Sequence, residues 1–279
     1  MKGFLFTIGT IFFASTLVFF IQGFYEANLT TEKEILSSAV LMNNISLNED
    51  FSTDLMKLFK VDLDVNSVDK SINLVGRMSS SSSVSTSLVD YASFLSSKFF
   101  IRSTFEKNLD LSNLTDGKTE LYIGDKLNLD YNYGNSLALY SSSPSYLDSI
   151  DLNIQTTGTL VSYDWNNSSG SRNFLVSIYY TDDSNAIIIS NVLIDNNSLS
   201  HLDLIYPDGN TIIEFGKINY SGVDYNSGFV IKSKPDQVIN YNLKVNYAAD
   251  LNVYPVKINS ILSVKSNEFD SNTILTLLK

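Results

Sequence analysis

The chain has no cysteine, one histidine, four prolines and one tryptophan in 279 residues. Without cysteine there is no disulfide framework, thiolate zinc site, iron–sulfur cluster or thiol nucleophile. The single imidazole, His201, rules out a histidine-rich metal centre and leaves one candidate base, and a base needs a nucleophile and an orienting third group around it. Neither a Gly-x-Ser-x-Gly elbow nor a phosphate-cradling glycine loop occurs. No cofactor is implied, and the expected function is not enzymatic. A pair of carboxylates acting on a glycosidic bond is the one catalytic alternative, and no pair stands out from its surroundings.

Positive charge is also scarce. Nineteen Lys and Arg stand against thirty Asp and Glu, a net charge of −11. Such a surface repels phosphate backbones, so nucleic acid is excluded as a general partner. Apolar residues make up 44% and charged residues 18%, which fits neither a disordered acidic tract nor a coiled coil.

What the chain does have is an apolar front. Between Lys2 and Glu26 no charge occurs, and thirteen of the residues from Phe4 to Phe24 are Phe, Leu, Ile or Val. As a helix this run is about 34 Å long, enough for a hydrocarbon core of about 30 Å. It ends in Gln22-Gly23-Phe24-Tyr25-Glu26, a poor site for ordinary signal peptidase. The expectation is a single-pass membrane helix over residues 1–27, with lipid as its partner. Lys2 precedes the span while Glu26, Glu32 and Glu34 follow it, which places the N-terminus in the cytoplasm and the rest of the chain outside the cell.

Thr7, Thr10 and Ala14 continue a stripe of small residues that starts at Gly3, an arrangement that lets helices approach closely and points to self-association. Seven Asn-x-Ser/Thr acceptors, at Asn28, Asn44, Asn113, Asn166, Asn167, Asn196 and Asn219, are available for N-glycosylation.

Lys2-Gly3 followed at once by Phe4-Leu5-Phe6-Thr7-Ile8 resembles the class III signal peptide of type IV pilin-like proteins, particularly the archaeal kind. The resemblance covers about the first 25 residues. It implies cleavage between Gly3 and Phe4, retention of the apolar helix, and a role as a pilin-like subunit. Ile8 stands where bacterial members carry Glu, a position at which archaeal members are looser. The alternative reading is an uncleaved, signal-anchored surface module that binds a glycan or a protein.

Beyond the span, Thr30 and Thr31 ahead of Glu32-Lys33-Glu34 suit a helix that continues or restarts to about Leu41, and a second helix is expected over Glu49–Lys60. Val61-Asp62-Leu63-Asp64-Val65-Asn66 alternates like a strand; its Asp62, Asp64 and Asn66 also match the opening of a calcium loop, but Ser67 and Asn73 break that pattern. Residues 79–87 read as a Ser-rich linker, and Thr86–Glu106 as a helix, with a strand over Lys98–Phe105 as the alternative.

From Leu109 the pattern is β. Ile239–Tyr247 alternates without error. Leu127–Tyr133, Asn173–Tyr180, Ala186–Ile194, Leu199–Tyr206, Thr211–Phe215 and Val253–Val264 are further strands. Pro207-Asp208-Gly209 marks a hairpin, while Asp182-Asp183-Ser184-Asn185 and Asp195-Asn196-Asn197 are oxygen-rich turns with some capacity for calcium. The many tyrosines and Trp165 are expected chiefly in the core. The resulting fold class is α+β: the N-terminal membrane helix, an α+β stalk over 28–108, and an antiparallel β-sandwich ectodomain over 109–279. The function expected is that of a cell-surface structural or adhesive protein.

Overall fold

A computed structural model describes residues 2–66, 68–78, 82–100, 106–115, 118–123, 127–132, 136–141, 147–168, 173–247, 256–265 and 270–277. The first helix, α1 (Lys2–Phe59), is unbroken. No glycine or proline occurs between Gly23 and Phe59 to interrupt it. Thr30 and Thr31 do not cap a new helix. Each turns its hydroxyl back onto the carbonyl four residues earlier, Glu26 and Ala27, at 2.9 Å, and so stays within the helix. The boundary expected at residue 27 and the separate helix over 49–60 therefore both merge into α1, which ends where Lys60 takes φ +56°.

Two strands follow, β1 (Val61–Asn66) and β2 (Ser71–Met78), and then α2 (Ser82–Phe94), which leads into a π-turn over Leu95–Phe99. The part of the Ser-rich segment that is described, 82–87, is thus helical rather than a linker. Residues 79–81 lie outside the described part, as do 101–105 of the helix expected to reach Glu106. Glu106 itself opens a strand, β3 (Glu106–Asp110), which a short turn of helix, α3 (Ser112–Thr115), separates from the next.

The remaining strands are β4 (Lys118–Ile123), β5 (Leu127–Asn132), β6 (Ser136–Ser141), β7 (Leu147–Thr156), β8 (Ser162–Asn166), β9 (Asn173–Thr181), β10 (Ala186–Asp195), β11 (Leu199–Tyr206), β12 (Gly209–Tyr220), β13 (Val223–Lys232), β14 (Ile239–Tyr247), β15 (Val256–Lys265) and β16 (Asp270–Leu277). They form two sheets in a sandwich-like arrangement. The smaller runs β1-β2-β14-β7-β9-β10, and the larger runs β16-β15-β4-β5-β6-β13-β12-β11-β8, with β3 also on β15. All pairs are antiparallel except β7 with β9. The expected division at residue 108 is not a structural one, because β2 pairs with β14 along its whole length.

The alternation that marked the strands is the burial pattern. On β14 Ile239, Tyr241, Leu243, Val245 and Tyr247 are buried, while Asn240, Asn242 and Lys244 face out. From the larger sheet Leu202, Leu204, Ile213, Phe215, Phe229 and Ile231 meet that inner face in one continuous core. The sheets are also tied by polar groups. Thr156 and Tyr180 of the smaller sheet and Tyr206 of the larger join their hydroxyls at 2.9–3.1 Å, all buried. Tyr206 and Gly209 pair across the Pro207-Asp208 hairpin, as the sequence predicts.

Candidate functional site

The feature that separates this molecule from a simple sandwich is the two-part character of α1. Its C-terminal portion presents Val40, Leu47, Phe51, Leu55 and Phe59 at helical spacing to the core, and it packs on β16, β15 and β1. Asn44 on the same face is only 2% exposed. Its Nδ2 donates to the hydroxyls of Ser271 at 2.7 Å and Thr273 at 2.9 Å, which pins the helix to β16. Phe51 meets Phe99 and Phe100 edge-on, each with ring centroids 5.9 Å away, and Tyr91 of α2 donates to Asp54 at 3.1 Å.

The N-terminal portion is exposed wherever its side chains are described. Phe13 and every residue from Ser15 to Ile35 are exposed, among them Phe19 at 72% and Phe20 at 75%, together with Leu17, Val18, Ile21 and Phe24. At 1.5 Å per residue, 15–35 amounts to roughly 30 Å of exposed helix ahead of Leu36, which is half-buried. Returning such side chains from water to an apolar setting is worth roughly 1.5–3 kcal/mol each. The backbone of Gly3, Phe4, Thr7, Thr10 and Ala14 is helical, and their side chains lie outside the described part. Among the described residues no helix is long and apolar enough to cross a membrane.

The other positions singled out by the sequence fall into separate places. His201 is half-buried on β11 opposite Asn166 and Glu214, and Glu214 is already ion-paired with Lys232 at 2.6 Å. Its neighbour Ser200 faces the opposite way, buried, with its hydroxyl 3.0 Å from that of Ser168. The two are not brought together as nucleophile and base. Asp62 and Asp64 lie on the wet face of β1, and Asn66 turns the chain by accepting the backbone N–H groups of Val68 and Asp69 at 3.0 Å. Among the described residues no cluster of three or more His, Asp or Glu side chains is placed to hold a metal. Trp165 is half-buried, edge-on to Phe215 with centroids 6.2 Å apart, and Tyr131, Tyr180, Tyr206, Tyr241 and Tyr247 are buried in the core.

Of the seven sequon asparagines, Asn28, Asn113, Asn166, Asn167 and Asn219 are exposed. Asn44 and Asn196 are buried, and a glycan on the Asn44 amide is incompatible with both of its bonds to β16.

The oxygen-rich turns turn out to be structural fastenings. Asp182 accepts the backbone N–H of Ser184 at 2.7 Å and of Asn185 at 2.6 Å through Oδ1. Through Oδ2 it accepts the N–H of Leu160 at 2.8 Å and the Tyr180 hydroxyl at 3.1 Å. It thereby clamps the crossover from β7 to β8. Asp195 holds its own turn through the Asn197 N–H and the Ser198 hydroxyl.

Burial pushes the Asp182 carboxyl up, but its bonds from Ser184, Leu160 and Asn185 outweigh that and hold it at about 2, against the ordinary 3.8. The folded state thus favours the carboxylate. Its contribution is fully present above about pH 4 and is lost as pH falls through about 2. Asp182→Asn is expected to lower the denaturation midpoint at neutral pH and to flatten the loss of stability between about pH 4 and 2. Midpoints measured across that range check this, and a variant whose profile stays parallel to the parent's contradicts it.

Compared with protein-family models, curated proteins and solved structures, the chain finds no match. Its functional reading therefore rests on its own geometry.

Proposed function

We propose that this protein is a membrane-anchored surface subunit of the pilin-like kind. Its apolar N-terminal helix is held by lipid or by copies of the same helix, and its sandwich is displayed outside the cell. The observation that carries this reading is the exposed helix from Ser15 to Ile35, whose large apolar side chains Leu17, Val18, Phe19, Phe20, Ile21, Phe24 and Tyr25 have no covering from their own chain. Water is a poor environment for such a surface, whereas a bilayer or a bundle of identical helices covers it on all sides. The absence of charge from Gly3 to Tyr25 supports the same reading, because every side chain in that run tolerates a hydrocarbon surrounding at modest cost.

In this proposal Lys2 stays on the cytoplasmic side, processing falls between Gly3 and Phe4, and Thr7, Thr10 and Ala14 form the close-packing stripe between helices. The five exposed sequon asparagines are then glycan acceptors on the outer domain, with Asn28 near the membrane. The role is structural or adhesive, and no catalytic step is part of it.

The test is the mature N-terminus. Sequencing or intact-mass measurement of protein from the native membrane is expected to show a chain that begins at Phe4. A chain that retains Met1 leaves the anchored module and removes the pilin-like assignment. Full-length product in the cytosol, untouched by protease added to whole cells, removes the surface role altogether.

A further inference from the structure

The outer face of the smaller sheet carries a groove of about 550 Å³ that crosses all six strands. Two cross-strand rows make its floor. In one, Asp64, Asn73, Lys244, Asp151 and Ser177 are successive register partners on β1, β2, β14, β7 and β9. In the other, Asn242, Asn153, Tyr179 and Ile188 follow on β14, β7, β9 and β10. Neighbours within a row are about 4.8 Å apart, and the rows lie roughly 7 Å from each other along the strands. The groove has built ends. At one, the Asn66 amide donates to Asp69 at 2.7 Å and closes the turn after β1. At the other, β10 carries a bulge between Ile189 and Val192, where Asn191 takes φ +53° and its N–H donates to the Ser177 hydroxyl at 3.2 Å.

Apart from the Ser177 hydroxyl, the polar groups of these two rows are uncommitted. Among the described residues, Asp64, Asn73, Asp151, Asn153, Asn242 and Lys244 make no side-chain hydrogen bond or ion pair. The outer face of the larger sheet is the opposite case: Tyr140 is bonded to Asp130, Tyr122 and Asn259 to Glu120, Lys232 to Glu214, and Lys217 and Asn219 to Asp224. These pairs take up much of the polar surface of the larger sheet, whereas the six side chains of the groove floor present theirs.

We infer that this groove is a binding site for a neutral oligosaccharide. Sugar hydroxyls both donate and accept, and the floor interleaves acceptors (Asp64, Asp151), donors (Lys244) and amides that do both (Asn73, Asn153, Asn242). The exposed Tyr179 ring with Ile188 beside it supplies an apolar platform for the C–H face of a sugar ring. The charge also selects. With Asp64, Asp69 and Asp151 against a single Lys244, the groove repels uronic or sialic acids. This assignment is independent of what covers the N-terminal helix.

The experiment uses the full chain in a detergent without a sugar headgroup. It is titrated calorimetrically with a panel of neutral hexose oligosaccharides, with a uronic-acid oligosaccharide and an oligolysine peptide as competing classes. At least one neutral oligosaccharide is expected to bind with a Kd between about 10 µM and 1 mM. Tyr179→Ala and Asn153→Ala are expected to weaken that binding at least tenfold, and Tyr163→Ala, at an exposed tyrosine on β8 outside the groove, to leave it unchanged. Failure of every neutral sugar to bind, preference for the acidic sugar or the peptide, or binding that survives both groove substitutions overturns the inference. None of these outcomes bears on the mature N-terminus, so the two readings fail separately.

Discussion

Gly216→Ala is expected to destabilise the sandwich by about 3 kcal/mol or more, enough to leave a large part of a marginally stable domain unfolded. Gly216 lies on β12 at the point where its register with β13 shifts, and it adopts φ +85°. A side chain is strained in that conformation. Space compounds the strain. A Cβ at this position falls under 3.0 Å from the carbonyl oxygens of Ser198 and Asp195, which are backbone and cannot swing aside. Those carbonyls belong to the turn that carries the chain from β10 in the smaller sheet to β11 in the larger. The turn is further held by the N–H of Lys217 donating to Ser198 and that of Ser227 donating to Asn196. The substitution therefore pushes on a junction between the two sheets. Denaturant midpoints of parent and variant measure the effect. A loss below about 1 kcal/mol would mean that the junction relaxes freely and that the close approach is not required.

Leu17→Lys is expected to move the protein out of the membrane fraction, or out of any assembled filament, into the aqueous one. Leu17 is exposed within the charge-free run from Gly3 to Tyr25. A lysine near the centre of a spanning helix costs roughly 2.5–3.5 kcal/mol on insertion scales, and loss of the leucine adds to that. A shift of that size changes a partition coefficient by roughly a hundredfold or more. The same lysine at Ser37, exposed on α1 beyond the apolar run, is expected to leave the distribution unchanged. Equal behaviour of the two variants would show that the apolar run is not what holds the protein in place. Fractionation followed by immunodetection is sufficient, because the sandwich lies at the far end of the helix from Leu17 and its folding can be followed separately.

The two substitutions probe the two levels at which this molecule is specified, and they differ in how visible they are in the sequence. The apolar run needs nothing but residue order to be seen. The strand over Ile239–Tyr247 is equally plain, because its period of two carries straight into burial. The hairpin at Pro207-Asp208 could be placed from turn chemistry. By contrast, residue order left open whether α1 continues past Thr31 or restarts there. Thr30 and Thr31 ahead of three charged residues have the composition of a helix start, and only the orientation of their hydroxyls shows that they sit within a helix. The Ser-rich stretch misled for a related reason: serine's preference for loops is small, and packing of Val84 and Leu88 into the core outweighs it in α2.

Glycine 216 could not have been chosen from among thirteen glycines by sequence, since its importance lies in two carbonyls from a turn about twenty residues earlier. The groove was equally out of reach. Asn73, Lys244 and Asp151 belong to β2, β14 and β7, so only the strand order places them side by side. Residue order by itself determined the apolar front, the lack of thiol chemistry, and strands with clear alternation such as β1, β5, β11 and β14, because each depends on periodicity or composition within a few residues. Only the tertiary structure decided that α1 stands exposed from Ser15 to Ile35, that Asp182 and Gly216 fasten the crossovers between sheets, and which of the described polar side chains remain unpaired, because each depends on contacts between segments far apart in the chain.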